Sequence, residues 1–178
     1  MSWLPPVPPW EGLHPLVIHF PIALLFIVPL FVLFGMFAPR HAPAWRLAGL
    51  LTLALGTVAA FVATATGEAS AEIAERTAAA HAVLERHEEM GEFVRNLFAG
   101  LTVVYAALIV VTQVVRAKWM PAASLWGASV FLLVYLGSLV ALANAAHEGG
   151  RLVHEFGVRA PTATLPEASM SDREHHDD

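Results

Sequence analysis

Apolar residues along this chain gather into four long blocks, not into the short alternations that mark strands. The blocks run over residues 15–37, 45–66, 93–115 and 122–146. Each is long enough to cross a bilayer as a helix, which takes roughly 20 residues. Charge is nearly excluded from all of them. Arg95 is the exception, and it lies near the start of its block, where its stem can snorkel to the headgroups. Pro21 and Pro29 predict a distorted or kinked first helix. Residues 1–13 carry no positive n-region and the first block is too long for an h-region, so a signal peptide is not expected. The pattern predicts an all-α fold: a four-transmembrane-helix, up-and-down bundle over residues 1–158.

Between the second and third blocks, residues 67–92 are rich in alanine and glutamate and lack proline. They predict an extramembrane helical connection, one helix or two, running into the third span. Residues 159–178 show no apolar period and predict a disordered acidic tail. No internal repeat stands out.

Composition removes most function classes. Of 178 residues, 57% are hydrophobic and 14% charged, and mean hydropathy is +0.60. Soluble domains run at about 45–50% and about 25%. A net charge of −5 offers no basic surface to nucleic acid. The absence of cysteine removes disulfides, iron–sulfur clusters, covalently attached haem and thiol nucleophiles. No nucleotide, nucleophile or oxyanion signature is present, so activity as an enzyme on its own is not expected.

Charge is distributed unevenly. Arg40 and Arg46 lie between the first two blocks, Arg116 and Lys118 between the last two, and neither connection holds an acid. All 15 acidic residues lie on the opposite side. The positive-inside rule places the basic loops in the cytoplasm and both termini in the periplasm of a bacterial inner membrane. Trp45, Trp119 and Trp126 fall at the cytoplasmic boundary and Trp3 and Trp10 at the other, as an aromatic belt does.

Nine histidines are many for so apolar a chain. His41 lies in a basic loop. His14 and His19 open the first span, His81 and His87 precede the third, His147 and His154 close the fourth, and His175 and His176 are in the tail. A bundle brings the outer ends of its spans together, so several of these imidazoles converge with Glu68, Glu72, Glu88 and Glu148. Ionisable groups gathered at one membrane depth mark functional sites. His147 and His154 are two turns apart on one helical face, about 10 Å along the axis. The face of His87 continues as Gly91, Val94 and Phe98, and a glycine one turn from a histidine leaves room for a large flat group. The outer half of the second span is nearly all small residues, from Gly56 to Gly67; close helix packing and a cofactor slot both account for it. His81, His175 and His176 read as solvated, and His14 also reads as the start of a helix continued by Pro15.

The stretch Leu13–Leu24, LHPLVIHFPIAL, resembles the opening signature of the bacterial membrane family called domain of unknown function 2231. Gly67-Glu68 and His87-Glu88 resemble that family's outer connection, and the segment from His147 to Val158 resembles its closing GG-x-L-V motif. The sequence departs from the pattern at His154 and Phe156, where members often carry tyrosine and histidine. Members are often neighbours or fusion partners of cytochrome c and Rieske-type proteins. The resemblance therefore implies a respiratory or photosynthetic electron-transfer setting and favours haem.

Three functions compete. The first is a b-type cytochrome-like electron-transfer subunit with haem b near the periplasmic face. Its ligands would come from His19, His87 and His147, with His14 and His154 in reserve. Glu68, Glu88, Glu148 and Arg151 would surround them, and a quinone and a periplasmic cytochrome would be redox partners. The second is an accessory subunit of a larger membrane complex, without cofactor. The third is a non-haem transition-metal site of histidine and glutamate, although no HExxH or ExxH pattern appears on any span. The inner halves of the spans contain no histidine, so any cofactor is expected at the outer end only.

Overall fold

The computed structural model describes residues 7–73, 78–114 and 120–158. The tail 159–178, with His175 and His176, lies outside them, as do Trp3, Arg116, Lys118 and Trp119. Among the described residues every regular element is a helix, and the α-helices are α1 (His14–Val17), α2 (His19–Phe37), α3 (Ala42–Ile73), α4 (Ala78–Val114) and α5 (Met120–His154). Short 3-10 turns at Trp10–Gly12 and Pro39–His41 introduce α1 and α3.

Proline explains the first rod. Pro15 occupies the first turn of α1, where its missing N–H costs nothing. Pro21 cannot donate to the carbonyl of Val17, and α1 ends there; Pro21 then falls in the first turn of α2. Pro29 lies inside α2 and leaves the carbonyl of Leu25 without its helical donor. The Tyr135 hydroxyl of α5 donates to that carbonyl at 2.8 Å. A backbone group orphaned by proline is thus satisfied from a neighbouring helix, in a place water does not reach.

α3, α4 and α5 are 32, 37 and 35 residues long. At about 1.5 Å per residue each exceeds a hydrocarbon core of about 30 Å by several turns. The connection expected outside the membrane is therefore built by continuing the spans themselves: α3 runs on to Ile73, and α4 begins at Ala78. These extensions have a small core of their own, Ala71, Leu84 and Leu152, with Val83 and Val158 against it. Beyond α5, Gly157 takes a φ of 65°, and the Val158 N–H turns back to the Leu152 carbonyl at 2.9 Å. Only glycine adopts that backbone without strain.

The rods form a ring in which α2 packs on α3, α3 on α4, α4 on α5 and α5 on α2. α2 and α4 are therefore diagonal, as are α3 and α5. The core between them includes Leu25, Val28, Leu53, Phe98, Phe131 and Tyr135. Among the described residues four helical stretches, α1 with α2 counting as one, are long and apolar enough to cross a membrane, yet only 22–33% of each apolar stretch is buried inside the protein. The remaining surface, including Leu16, Leu55, Val103 and Leu133, is apolar and exposed. Such a surface is compatible with lipid and not with water.

Candidate histidine clasp at one end of the bundle

His14, the first residue of α1, lies on α3. A carbonyl only accepts, so His14 Nδ1–H donates to the Ala63 oxygen, at 2.8 Å. The ring rests on Gly67: a Cβ there would lie 3.0 Å from His14 Cε1. Thr66, fully buried, is 3.4 Å from the same nitrogen, and its hydroxyl is within reach of the Val62 and Ala63 carbonyls.

His87 of α4 repeats the arrangement on α5. Its Nδ1–H donates to the Ala145 oxygen at 3.0 Å, and a Cβ on Gly149 would lie 2.8 Å from its Cε1. Both clasps use a carbonyl at position i and a glycine at i+4, one turn apart on one helix face. Without a Cβ at i+4 the imidazole lies against the helix and its N–H reaches back one turn. The bond also fixes which nitrogen is occupied. Nδ1 carries the hydrogen in each ring, so Nε2 remains as the second nitrogen in both.

The two clasped rings meet. Their centroids are 6.3 Å apart and their planes are inclined at 77°. They come from helices whose backbones do not pack on each other, so the contact spans a diagonal of the bundle. Beside them Glu148 is buried at 7% exposure and holds two arginines. Arg151 Nη1 is 2.8 Å and Arg86 Nε 3.6 Å from its carboxylate oxygens. Arg151 also pairs with Glu155 at 3.1 Å. A buried carboxylate is tolerated when paired in this way.

The other expected ligands are placed differently. His19, His147 and His154 are exposed, as is His81. His19 follows His14 by five residues, about 140° around a helix, so a rod that turns His14 inward turns His19 outward. On α5 the buried stripe passes through Leu142, Ala145, Glu148 and Leu152, and His147 and His154 lie off it. Those two line an open groove of about 220 Å³ with Gly150, Arg151 and Glu155. Glu68 is exposed and 4.0 Å from Arg95, and Glu88 is half-buried. Among the described residues no group of three or more histidines and carboxylates is arranged to hold a metal ion.

Small residues of the second span pack closely: Gly56 against Leu25, where a Cβ would lie 2.8 Å from Cδ2, and Gly67 against His14. Sequence reasoning passed over Ala63, Gly67, Ala145 and Gly149 as partners of histidines. The available signal was an Ala-x-x-x-Gly pattern at the histidine-bearing ends of both the second and fourth spans.

No curated protein and no solved structure matches the chain. Residues 11–162, which include both clasps and all four rods, match the family described as "Predicted membrane protein (DUF2231)". The chain belongs to that family.

Proposed function

We propose that this protein is an integral membrane electron-transfer subunit of the b-type cytochrome kind, with His14 and His87 as the two imidazole ligands of one haem. The observation that carries the reading is the meeting of these rings across a diagonal of the bundle, each with Nδ1–H tied to a backbone carbonyl. Metal-binding histidines are commonly oriented by such a bond, which fixes the tautomer and leaves the other nitrogen to the metal. Separation also fits. An imidazole nitrogen is ~1 Å from its ring centre and about 2 Å from a metal it binds. Rings on opposite sides of one ion are therefore about 6 Å apart, close to the 6.3 Å found between these two. His14 and His87 together would suffice to hold a haem, so the reading does not need a third donor. Haem, when bound, supplies one-electron redox chemistry. Arg86 and Arg151, paired with Glu148, and Arg95, beside Thr64 and Glu68, are cations near that level and candidates to face its carboxylates.

Placement follows from charge: the histidine end carries the acids and faces the periplasm of a bacterial inner membrane. Redox partners there would be a periplasmic cytochrome or a quinone. The test is the visible spectrum of the purified protein from haem-replete cells, oxidised and then reduced with dithionite. A sharp reduced α-band, lost in His14→Ala and His87→Ala and kept in His19→Ala and His147→Ala, is expected. A colourless protein with native helix content refutes the reading.

One observation favours a second reading, an accessory subunit of a larger membrane complex without cofactor. Both imidazoles already have a hydrogen bond and a glycine seat, which is enough for a purely mechanical clasp of α1 on α3 and of α4 on α5. In that case the two alanine variants lose stability and no spectrum changes.

A further inference from the structure

The other end of the bundle gathers hydrogen-bond donors from three helices. Arg46, in the second turn of α3, lays its stem over Gly35 of α2, where a Cβ would be 3.3 Å from Arg46 Cγ. Its Nη2 donates to Ser124 Oγ of α5 at 3.2 Å. The guanidinium is thus drawn in among three helices and is half-buried. One turn deeper on the same face of α3, Gly49 looks onto Tyr105 of α4, and a Cβ there would be 3.3 Å from the phenol oxygen. Tyr105 is 4% exposed and stacked on Phe131, with ring centroids 4.7 Å apart. Its hydroxyl is buried without a hydrogen-bond partner among the described residues. Arg46 is three residues before Gly49 on α3, so its backbone lies about one helical turn from the position that Tyr105 meets.

A buried hydroxyl without a partner and a guanidinium drawn out of solvent both call for an acceptor. The sequence offers no carboxylate at this end. No aspartate or glutamate lies between Glu11 and Glu68 or between Glu92 and Glu148. Ser124 accepts from Arg46. We propose that Arg46, Ser124 and Tyr105 form a binding site for one singly charged anion, inside the basic end of the bundle. Its chemistry is that of an acceptor with no proton to give: a free halide, or the phosphodiester of a leaflet lipid reaching in beside Arg46. The site is independent of the histidine clasp and of any cofactor there.

The test is the melting temperature of the full-length protein, stripped of lipid in a neutral detergent. One arm compares sodium bromide with sodium gluconate at equal ionic strength. The other compares phosphatidylglycerol with diacylglycerol of the same chains. A saturable rise in melting temperature with bromide identifies a free anion, and a rise with phosphatidylglycerol identifies the lipid. Tyr105→Phe, which removes only the hydroxyl, is expected to weaken that response, and Arg46→Gln to abolish it. If Arg46→Gln fails to fold, Tyr105→Phe still decides. No response in either arm, or a response of equal size in Tyr105→Phe, overturns the proposal.

Discussion

Gly149 and Gly150 are neighbours on α5, and replacing each by alanine should have opposite effects. Both lie in the same helix, so both substitutions gain about 1 kcal/mol of helix propensity. They differ in what the new methyl group meets. At Gly150 nothing lies within 4 Å. At Gly149 the methyl would lie 2.8 Å from His87 Cε1, well inside contact distance. The imidazole can retreat only by giving up its bond to the Ala145 carbonyl. Overpacking of this kind costs about 1–3 kcal/mol, and the lost hydrogen bond adds about 1 kcal/mol. Gly149→Ala should therefore be less stable than Gly150→Ala by roughly 2–4 kcal/mol before relaxation. For a chain of this size 1 kcal/mol moves the melting temperature by about 2–4 °C. The difference is then readable by thermal unfolding in detergent followed by circular dichroism. Gly150→Ala should melt at or above the wild type and Gly149→Ala several degrees below it. Equal melting temperatures, or the reverse order, would refute the clasp, because propensity cancels between the two variants.

Tyr135→Phe should destabilise the bundle by about 1 kcal/mol, since it leaves the Leu25 carbonyl without a donor. Pro29→Ala returns the helical N–H to that carbonyl, so the double variant should lose less than the sum of the single ones in a double-mutant cycle. Arg86→Ala and Glu148→Ala should separate widely in the same melting assay. Arg86 is 67% exposed on its side chain and its loss should cost under about 1 kcal/mol. Removing Glu148 empties a buried position and leaves Arg151 with Glu155 as partner, and should cost more. An alkaline phosphatase fused after Val158 should be active and one fused at His41 inactive; the opposite result would reverse the orientation proposed for the histidine end.

Much of the fold was legible because a bilayer restricts the options so strongly. A polar backbone in hydrocarbon must satisfy itself, so an apolar block of the right length has little choice but to be a helix. Length and hydropathy therefore determined the four rods, and the alanine- and glutamate-rich stretch after Gly67 determined helices beyond the spans. Proline determined where α1 stops, because the missing N–H acts four residues back along the same chain. Which histidines face each other was a different matter. Depth along the helices put His14, His19, His87 and His147 at one end, and depth alone cannot separate them. Rotation of each rod about its own axis does, and that is set by packing between helices far apart in sequence. His14 turns inward because Gly67, 53 residues later, has no side chain in the way, and His87 because Gly149 has none. His19 and His147, near them in sequence, are carried to the outside by the same rotations. Tyr105 shares this dependence: it lies mid-helix, and only the packing of α4 on α3 sets its hydroxyl against Gly49, one turn beyond Arg46.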